Sequence, residues 1–319
     1  MRERPADIHD SDVAAALARQ WALAVRDMSY LPVGFGGYHW LATDQAGSRW
    51  FVTVSDLAAP WVPDLPAAMQ TAAWLATEAG LEFVVAPVPT RAGQVVVTLD
   101  SPHALTLFPY LDAAPSRFED PVDDGDRAAI IDMLARLHTA VPQGIQVPSQ
   151  PLQLTARQAI DQAVASLGVP WTGGPYAELG RDLLARYERP LRQAFARFDG
   201  LLDRVREAGG PHVITHGEPH PGNLLRIPAG LCLVDWDTTA LAWPERDLWW
   251  VISGDQDAAR YLRRTGRTVN QDALVLYRLR WGLNDISEFL SEIRAPHQRT
   301  ADTIVSWTTL QETLDAIAR

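Results

Sequence analysis

Residues 213–239 read VITHGEPHPGNLLRIPAGLCLVDWDTT, and this stretch is unusually rich in structural signals. Two short apolar runs, 224–227 and 231–234, are separated by the sequence Pro-Ala-Gly, which is typical of a tight turn. We therefore predict a β-hairpin with a three-residue turn centred on Ala229. Symmetric pairing about that residue would place Asn223 opposite Asp235, with both side chains at the open end of the hairpin.

The polar residues at that open end are of the kinds that bind a divalent cation. Asn223 offers an amide oxygen, while Asp235 and Asp237 offer carboxylates, and all of these are hard ligands suited to Mg²⁺. Glu218 lies five residues before Asn223 on a loop rich in Gly and Pro, where a carboxylate can accept a proton from a substrate hydroxyl. A base beside such a metal-binding set is the arrangement that phosphoryl transfer requires.

Two histidines in the same stretch offer a different hypothesis. His216 and His220 have i, i+4 spacing and, together with Asp235, could form the zinc site of a hydrolase. That spacing brings two ligands together on a helix, but Gly217, Pro219 and Pro221 prevent a helix here. We therefore interpret His216 and His220 as structural residues of the loop and keep the metal-dependent hydrolase as an alternative.

The rest of the chain changes character from strands to helices. Apolar runs at 31–44, 49–57, 83–89, 93–100 and 103–112 predict strands, with one helix at 65–79 between them. Amphipathic patterns at 123–139 and 154–208, and again after the hairpin, predict helices. The expected architecture is α+β. A β-rich N-terminal lobe (1–108) would be followed by a hinge (109–112) and a mainly helical C-terminal lobe (113–319).

Composition narrows the classes of function. The chain has 319 residues, a formal net charge of −11 and no lysine among its 28 basic residues. This balance argues against nucleic-acid binding, which needs a basic surface. No apolar run approaches the roughly 18 residues that cross a bilayer, and no signal peptide is evident, so we expect no membrane association. The single Cys232 cannot form an intrachain disulfide, and a cytoplasmic location is expected.

The sequences HGEPHPGN and VDWD resemble the motifs of the aminoglycoside phosphotransferase family, whose first motif reads His-Gly-Asp-x-His-x-x-Asn. The resemblance implies a protein-kinase-like two-lobed fold. It also implies transfer of the γ-phosphate of ATP or GTP to a hydroxyl of an antibiotic or related small molecule, with Mg²⁺. In such an enzyme Glu218 would be the catalytic carboxylate, and Asn223 and Asp235 would hold the metal ions, with Asp237 beside them.

The same resemblance implies roles for residues outside the hairpin. The glycine turn would cover the nucleotide phosphates, and the hinge would meet the nucleotide base. Asp247, in PERDLWW, would brace the catalytic loop rather than react, and His138 would be structural. The implied nucleotide-binding residues are Gly34, Gly36, Gly37, Thr53, Phe108 and Tyr110.

Three departures from the family pattern concern the catalytic carboxylate and the residues that would hold the nucleotide phosphates. Glu218 stands where the family has Asp, and its extra methylene moves the carboxylate by about 1.5 Å at most. Thr53 stands where the third strand normally carries a Lys, and the next helix offers Gln70 instead of the partner Glu. Arg49 or another Arg could reach the phosphates in place of the lost Lys, or Thr53 and Gln70 could hydrogen-bond instead. The alternative is a pseudokinase that binds nucleotide weakly or not at all.

A helical segment near the C-terminus could receive the acceptor. Asp285, Glu288 and Glu292 have i, i+3, i+7 spacing, which places three carboxylates on one helix face beside Trp281. Such a face could bind the amino groups of a cationic acceptor, with the tryptophan as a wall for a ring. The acceptor itself, the choice between ATP and GTP, and the oligomeric state are not predictable from these patterns.

Overall fold

The computed structural model describes residues 1–57, 64–100, 102–113, 116–118, 120–151 and 153–319. Its N-terminal part is a five-stranded antiparallel sheet with the strand order β1-β2-β3-β5-β4. The strands are β1 Val25–Leu31, β2 Gly37–Asp44, β3 Arg49–Asp56, β4 Val97–Asp100 and β5 His103–Pro109.

One face of this sheet forms a hydrophobic core with the first helix, α1 (Asp10–Trp21). Alternate residues along the strands, such as Trp40, Val52 and Leu105, are fully buried there against residues including Leu17. Because successive side chains of a strand point to opposite faces, the residues between them face the other side of the sheet. That second face carries His39 on β2 and Thr53 on β3.

The strand predicted at 83–89 is wrong. Within this segment only Val84 makes an isolated bridge, to Leu233. Pro87 and Pro89 lack the backbone N–H that a strand needs for its ladder, so continuous pairing is not possible. The segment instead joins the hairpin, since Leu233 donates its N–H to the carbonyl oxygen of Phe83 at 2.7 Å.

Helices and short strands alternate in the part of the chain that holds the predicted hairpin. Helix α2 precedes it in the N-terminal region, and α3 follows the sheet. Two small antiparallel pairs, β6–β9 and β7–β8, lie within residues 213–242, directly before α6. The bounds are α2 Leu65–Thr77, α3 Asp124–Thr139, β6 Val213–Thr215, β7 Leu224–Ile227, β8 Gly230–Leu233, β9 Ala240–Ala242, α6 Glu245–Leu248 and α7 Asp255–Thr265.

The hairpin forms, but with a register one residue away from the prediction. Ile227 pairs with Gly230, so the turn has two residues rather than three. Asn223 is therefore level with Val234, whose N–H donates to the Asn223 carbonyl oxygen at 3.0 Å. The predicted pairing of Asn223 with Asp235 is wrong, because Gly230 (φ 133°) already belongs to the second strand.

Four further helices form a unit of their own. They are α4 Ala156–Ala165, α5 Ala177–Ala208, α8 Gln271–Arg294 and α9 Ala301–Ala318. Helix α5 packs against α8 and α9, and α8 also packs against α4. The α+β class predicted from the sequence is confirmed by the sheet and the helices together.

By packing, the chain divides into two compact units: Met1–Gln150 with Pro211–Val269, and Pro151–Gly210 with Asn270–Arg319. The sheet and the hairpin fall in the same unit, so the expected lobe boundary at 109–112 stays a prediction. In the described part of the chain, no helix is both long and apolar enough to span a bilayer.

Candidate active site

The loop that follows β6 is fixed by the carboxylate of Asp247, which lies on α6. Asp247 accepts hydrogen bonds from the backbone N–H groups of His216 (2.8 Å) and Gly217 (2.6 Å). The imidazole of His138 also bonds this carboxylate (3.0 Å), and its other nitrogen bonds the hydroxyl of Tyr261 (2.9 Å). Burial alone would raise the pKa of Asp247, but the bond and charge of His138, aided by Arg246, hold it below its usual value.

Arg246 locks the same loop from a second direction. Its guanidinium donates to the hydroxyl of Thr215 and to the carbonyl oxygen of Thr238, both at 2.8 Å. Gly217 sits against this group with φ 105°, and a Cβ there would lie 2.3 Å from the Arg246 Nη2. Only glycine therefore fits at this position, both in its backbone conformation and in the space available.

Both ring nitrogens of His216 are already bonded. Nε2 donates to the carbonyl oxygen of Val234 at 2.8 Å, and Nδ1 accepts from the backbone N–H of Glu218 at 3.2 Å. Burial lowers the pKa of His216 to about 4, so the ring is neutral near pH 7. A ring that uses both nitrogens within the protein has no lone pair for a metal, and the zinc-hydrolase alternative gains no support.

Asn223 ends a short turn of 3₁₀-helix and is buried. Its side-chain NH₂ group donates to the carbonyl oxygen of Glu218 at 3.0 Å and lies 3.3 Å from Nε2 of His220. Both contacts use the nitrogen of the amide, which leaves its oxygen available as a ligand. The side chain thus presents the amide oxygen that the sequence analysis assigned as a metal ligand.

Asp235 follows β8 in a left-handed conformation, with φ 68°. Such a conformation costs about 1–3 kcal/mol in a non-glycine residue and is found preferentially at functional sites. The side chain reaches solvent, but the protein atoms packed around it raise its pKa to about 6. The pKa of Asp237 is also raised well above its usual value, by burial and by the negative charges of Asp235 and Glu218.

The carboxylates of Asp235 and Glu218 thus lie close enough to Asp237 for their charges to disfavour its ionised form. Within the described ranges, no three Asp, Glu, His or Cys side chains converge as a metal-binding group. The candidate set is accordingly the mixed one of two aspartates and the Asn223 amide. Oxygen donors of this kind suit Mg²⁺, and a cation here would relieve the repulsion.

An aromatic cluster that the sequence analysis missed adjoins Glu218. His220 Nε2 lies 3.9 Å from the Glu218 carboxylate. The His220 ring packs edge-on against Phe118 (centroids 4.8 Å apart) and Trp250 (5.3 Å). Phe118 is 45% exposed, so the cluster presents an apolar surface to solvent beside the predicted base. Phe118 is 100 residues away in sequence, and no local pattern indicates this proximity.

The glycine turn between β1 and β2 adopts the conformations that its glycines permit. Gly34 (φ 70°) and Gly36 (φ 83°) are in the left-handed region, and Gly37 begins β2. The amino group of Met1 donates to carbonyl oxygens of this turn, including that of Gly37 at 2.9 Å. A hypothetical Cβ on Gly34 would lie 3.0 Å from Nε2 of His39, which shows how closely that ring approaches the turn.

Thr53 does not bond Gln70. The Thr53 hydroxyl lies 3.1 Å from Nδ1 of His39 on the neighbouring strand, whereas Gln70 is exposed on α2. Arg49 is also engaged elsewhere, because it pairs with Asp112. Sequence reasoning missed His39 because the strand register that places it beside Thr53 is a tertiary feature.

At the predicted hinge, Phe108 is buried at the end of β5. Tyr110 donates its backbone N–H to the carbonyl oxygen of Arg49 at 3.1 Å. The guanidinium of Arg49 also lies 4.6 Å from the centre of the Tyr110 ring. The Tyr110 N–H is therefore used within the protein, and a nucleotide base at the hinge would have to meet other backbone groups.

The predicted acidic face lies on α8, in the helical unit. Burial and the charge of Glu288 raise the pKa of Asp285 to about 8, although Asp285 accepts a hydrogen bond from Trp281. Burial and the charge of Glu292 raise the pKa of Glu288 to about 7. Glu292 itself accepts a hydrogen bond from Ser306 at 2.6 Å. The structure thus groups these carboxylates on one partly buried face.

Residues 27–279 match the phosphotransferase enzyme family APH. The protein StrN of Streptomyces griseus is 29% identical over 241 residues, which are 73% of this chain and 72% of StrN. Spectinomycin phosphotransferase APH(9)-Ia, solved with ADP and spectinomycin, has a TM-score of 0.72 at 16% identity and covers 98% of both chains. Choline kinase LicA from Streptococcus pneumoniae has a TM-score of 0.59 at 14% identity, over 96% of this chain and 99% of its own.

The structural likenesses establish a kinase-like fold with an antiparallel-sheet N-terminal lobe and a helical C-terminal region. Most of the chain lies within the matched range, which includes the loop, the hairpin and α6. The chain belongs to the phosphotransferase enzyme family APH, and it is a kinase-type enzyme that transfers a phosphoryl group.

Proposed function

We propose that the enzyme transfers the γ-phosphate of ATP or GTP to a hydroxyl of an antibiotic or related natural product that carries amino groups. The observation that carries this proposal is the grouping of Glu218 with Asn223, Asp235 and Asp237 at one end of the β7–β8 hairpin. Phosphoryl transfer depends mainly on positioning and on charge stabilisation, and this grouping provides a base beside a cation-binding set.

Mg²⁺ would be held by the oxygens of Asn223, Asp235 and Asp237, and when bound it would neutralise the charge of the nucleotide phosphates. Glu218 would orient the acceptor hydroxyl and take its proton. The loop carrying Glu218 needs rigidity for this role, and Asp247 and the guanidinium next to it supply that rigidity through the bonds described above.

Two features support a cationic acceptor. Burial raises the pKa values of Asp285 and Glu288, and so do the charges of Glu288 on Asp285 and of Glu292 on Glu288. An ammonium group of a ligand would stabilise the charged forms of these carboxylates. The chain's formal net charge of −11 also favours the approach of cations. The solved relatives that contain spectinomycin or act on choline are consistent with acceptors of this kind.

The test is turnover of hydroxylated antibiotics and amino alcohols with Mg²⁺ and either ATP or GTP, followed by detection of the phosphorylated product by mass. We expect Glu218→Gln to lower kcat by roughly a hundredfold or more, because the proton acceptor is lost, with little change in nucleotide affinity. Asp235→Asn should instead weaken Mg²⁺-dependent nucleotide binding. Asp255→Asn, which changes an exposed carboxylate on α7, is the matched control and should behave as wild type.

Failure of the folded wild-type protein to phosphorylate any member of a broad panel would contradict the proposed function. If Glu218→Gln retained the full kcat, Glu218 would not be the proton acceptor, but the phosphotransferase assignment would stand. Binding of Mg²⁺-nucleotide without turnover of any acceptor would favour the pseudokinase alternative.

A further inference from the structure

The side of the sheet opposite the α1 core carries a histidine directly beneath the glycine turn. His39 on β2 alternates with buried Trp40, so its ring faces away from the core. The ring approaches the turn at two points. A Cβ on Gly34 would lie 3.0 Å from His39 Nε2, and one on Gly37 would lie 3.3 Å from its Cε1. A glycine turn at the start of a strand is where backbone groups can approach phosphates closely.

Two neighbours on β3 hold the His39 ring in place. The hydroxyl of Thr53 lies 3.1 Å from Nδ1, and the ring of Phe51 stacks on the imidazole with centroids 4.9 Å apart and an interplanar angle of 30°. When Thr53 donates to Nδ1, the ring proton lies on Nε2, the nitrogen that faces the turn. No hydrogen-bond partner for Nε2 is found among the residues that the structure describes.

The ring is a neutral donor at physiological pH. Burial, aided by the positive charge of the chain's amino group, lowers the pKa of His39 to about 3. The sequence contains no lysine, and Arg49 is paired with Asp112. An imidazole N–H is therefore a side-chain donor that the sheet presents toward the turn from below.

We propose that His39 donates a hydrogen bond from Nε2 to a phosphate oxygen of the bound nucleoside di- or triphosphate, and that Thr53 positions its ring. This inference rests on the proposed function, because it requires that nucleotide phosphates lie beneath the glycine turn. It assigns the phosphate contact of the N-terminal sheet to β2, and it gives Thr53 a role toward His39 rather than toward the nucleotide.

The test compares ligands with and without phosphates in the full-length protein. His39→Phe keeps an aromatic ring stacked on Phe51 but removes the donor. We expect it to raise the Kd of Mg²⁺-ADP roughly ten- to hundredfold, as for loss of a hydrogen bond to a charged group, and to change the Kd of adenosine less than about twofold. Thr53→Val should raise the Kd of Mg²⁺-ADP by a smaller factor, and His39→Gln, which retains an N–H donor, should recover part of the loss. His9→Gln, a change at an exposed histidine, is the control.

A second measurement needs no substitution and so does not depend on how the variants fold. In wild-type protein with ¹⁵N-labelled histidine, the Nε2 resonance of His39 should shift on addition of Mg²⁺-ADP and not on addition of adenosine. The inference is overturned if His39→Phe binds Mg²⁺-ADP as wild type does, or if this substitution raises the Kd of Mg²⁺-ADP and of adenosine by the same factor. It is also overturned if the His39 resonance does not shift on addition of Mg²⁺-ADP. Wild-type protein that binds no nucleotide at all would instead defeat the proposed function, and the inference with it.

Discussion

Gly217 shows how a single position can combine two constraints. Its φ of 105° disfavours any side chain, and a Cβ would lie 2.3 Å from the Arg246 guanidinium and 2.7 Å from the Thr238 hydroxyl. We expect Gly217→Ala to lower the free energy of unfolding by about 3 kcal/mol, through backbone strain plus overpacking. Activity should fall as well, because the guanidinium can move aside only by breaking its bonds to the loop.

The matched control for this change is Gly210→Ala. Gly210 has a similar φ of 121°, but nothing lies within 4 Å of its hypothetical Cβ. Chemical denaturation of both variants separates strain from steric clash. Equal destabilisation of the two would show that the guanidinium accommodates a methyl group without cost.

At this scale the sequence predicted residue types better than their partners. Glu218, Asn223 and Asp235 follow from a local pattern in which chain neighbours are also neighbours in space. Arg246 and His39 were missed because each acts on a residue reached through strand pairing or loop packing, and an isolated Arg or His in a sequence carries no such information.

Among the elements, α8 carries the clearest pH prediction. The pKa of Asp285 is raised from 3.8 to about 8 in the folded protein. Between these values the folded state holds a proton that the unfolded state has lost, so this group lowers stability progressively as pH rises. We expect Asp285→Asn to raise Tm by a few degrees at about pH 9 and by much less at about pH 5.

Thermal unfolding of wild type and Asp285→Asn across this pH range provides the measurement. Asp203→Asn, at an exposed carboxylate on α5, controls for the change in net charge. If the difference in Tm between wild type and Asp285→Asn did not grow with pH, the side chain would be ionised without penalty. Its raised pKa would then be ruled out as support for an amine-binding face.

The existence of the β7–β8 hairpin was predictable from the sequence, whereas its register was not. Apolar runs and a Pro-Ala-Gly sequence were enough to predict its existence and its two strands. Its register could not be predicted from them, because a two-residue and a three-residue turn satisfy the same pattern. The difference of one residue decides whether Asn223 is level with Val234 or with Asp235.

For the whole molecule, ligand binding should appear as a gain in stability. A Mg²⁺-nucleotide that binds only the folded state stabilises it by about 2.7 kcal/mol at a hundred times its Kd. We expect Tm to rise by a few degrees with Mg²⁺-ADP or Mg²⁺-ATP, and to rise less in the presence of a chelator or in Asp235→Asn. Calorimetry or dye-based melting measures the effect. If no Mg²⁺-nucleotide changed the Tm of the wild-type protein, the result would argue that the protein does not bind nucleotide.

The sequence by itself determined the α+β class, the hairpin and the family, since these depend on short patterns of residues that are local in the chain. Only the tertiary structure decided which groups lie together on the side of the sheet opposite the α1 core. Thr53 was recognised from the sequence as a departure from the Lys of the family pattern, but its partner His39 is fixed by the β2–β3 register. Pairing between strands is set by turn geometry and by burial of Trp40 and Val52 on one face, and those constraints act across the fold rather than along the chain.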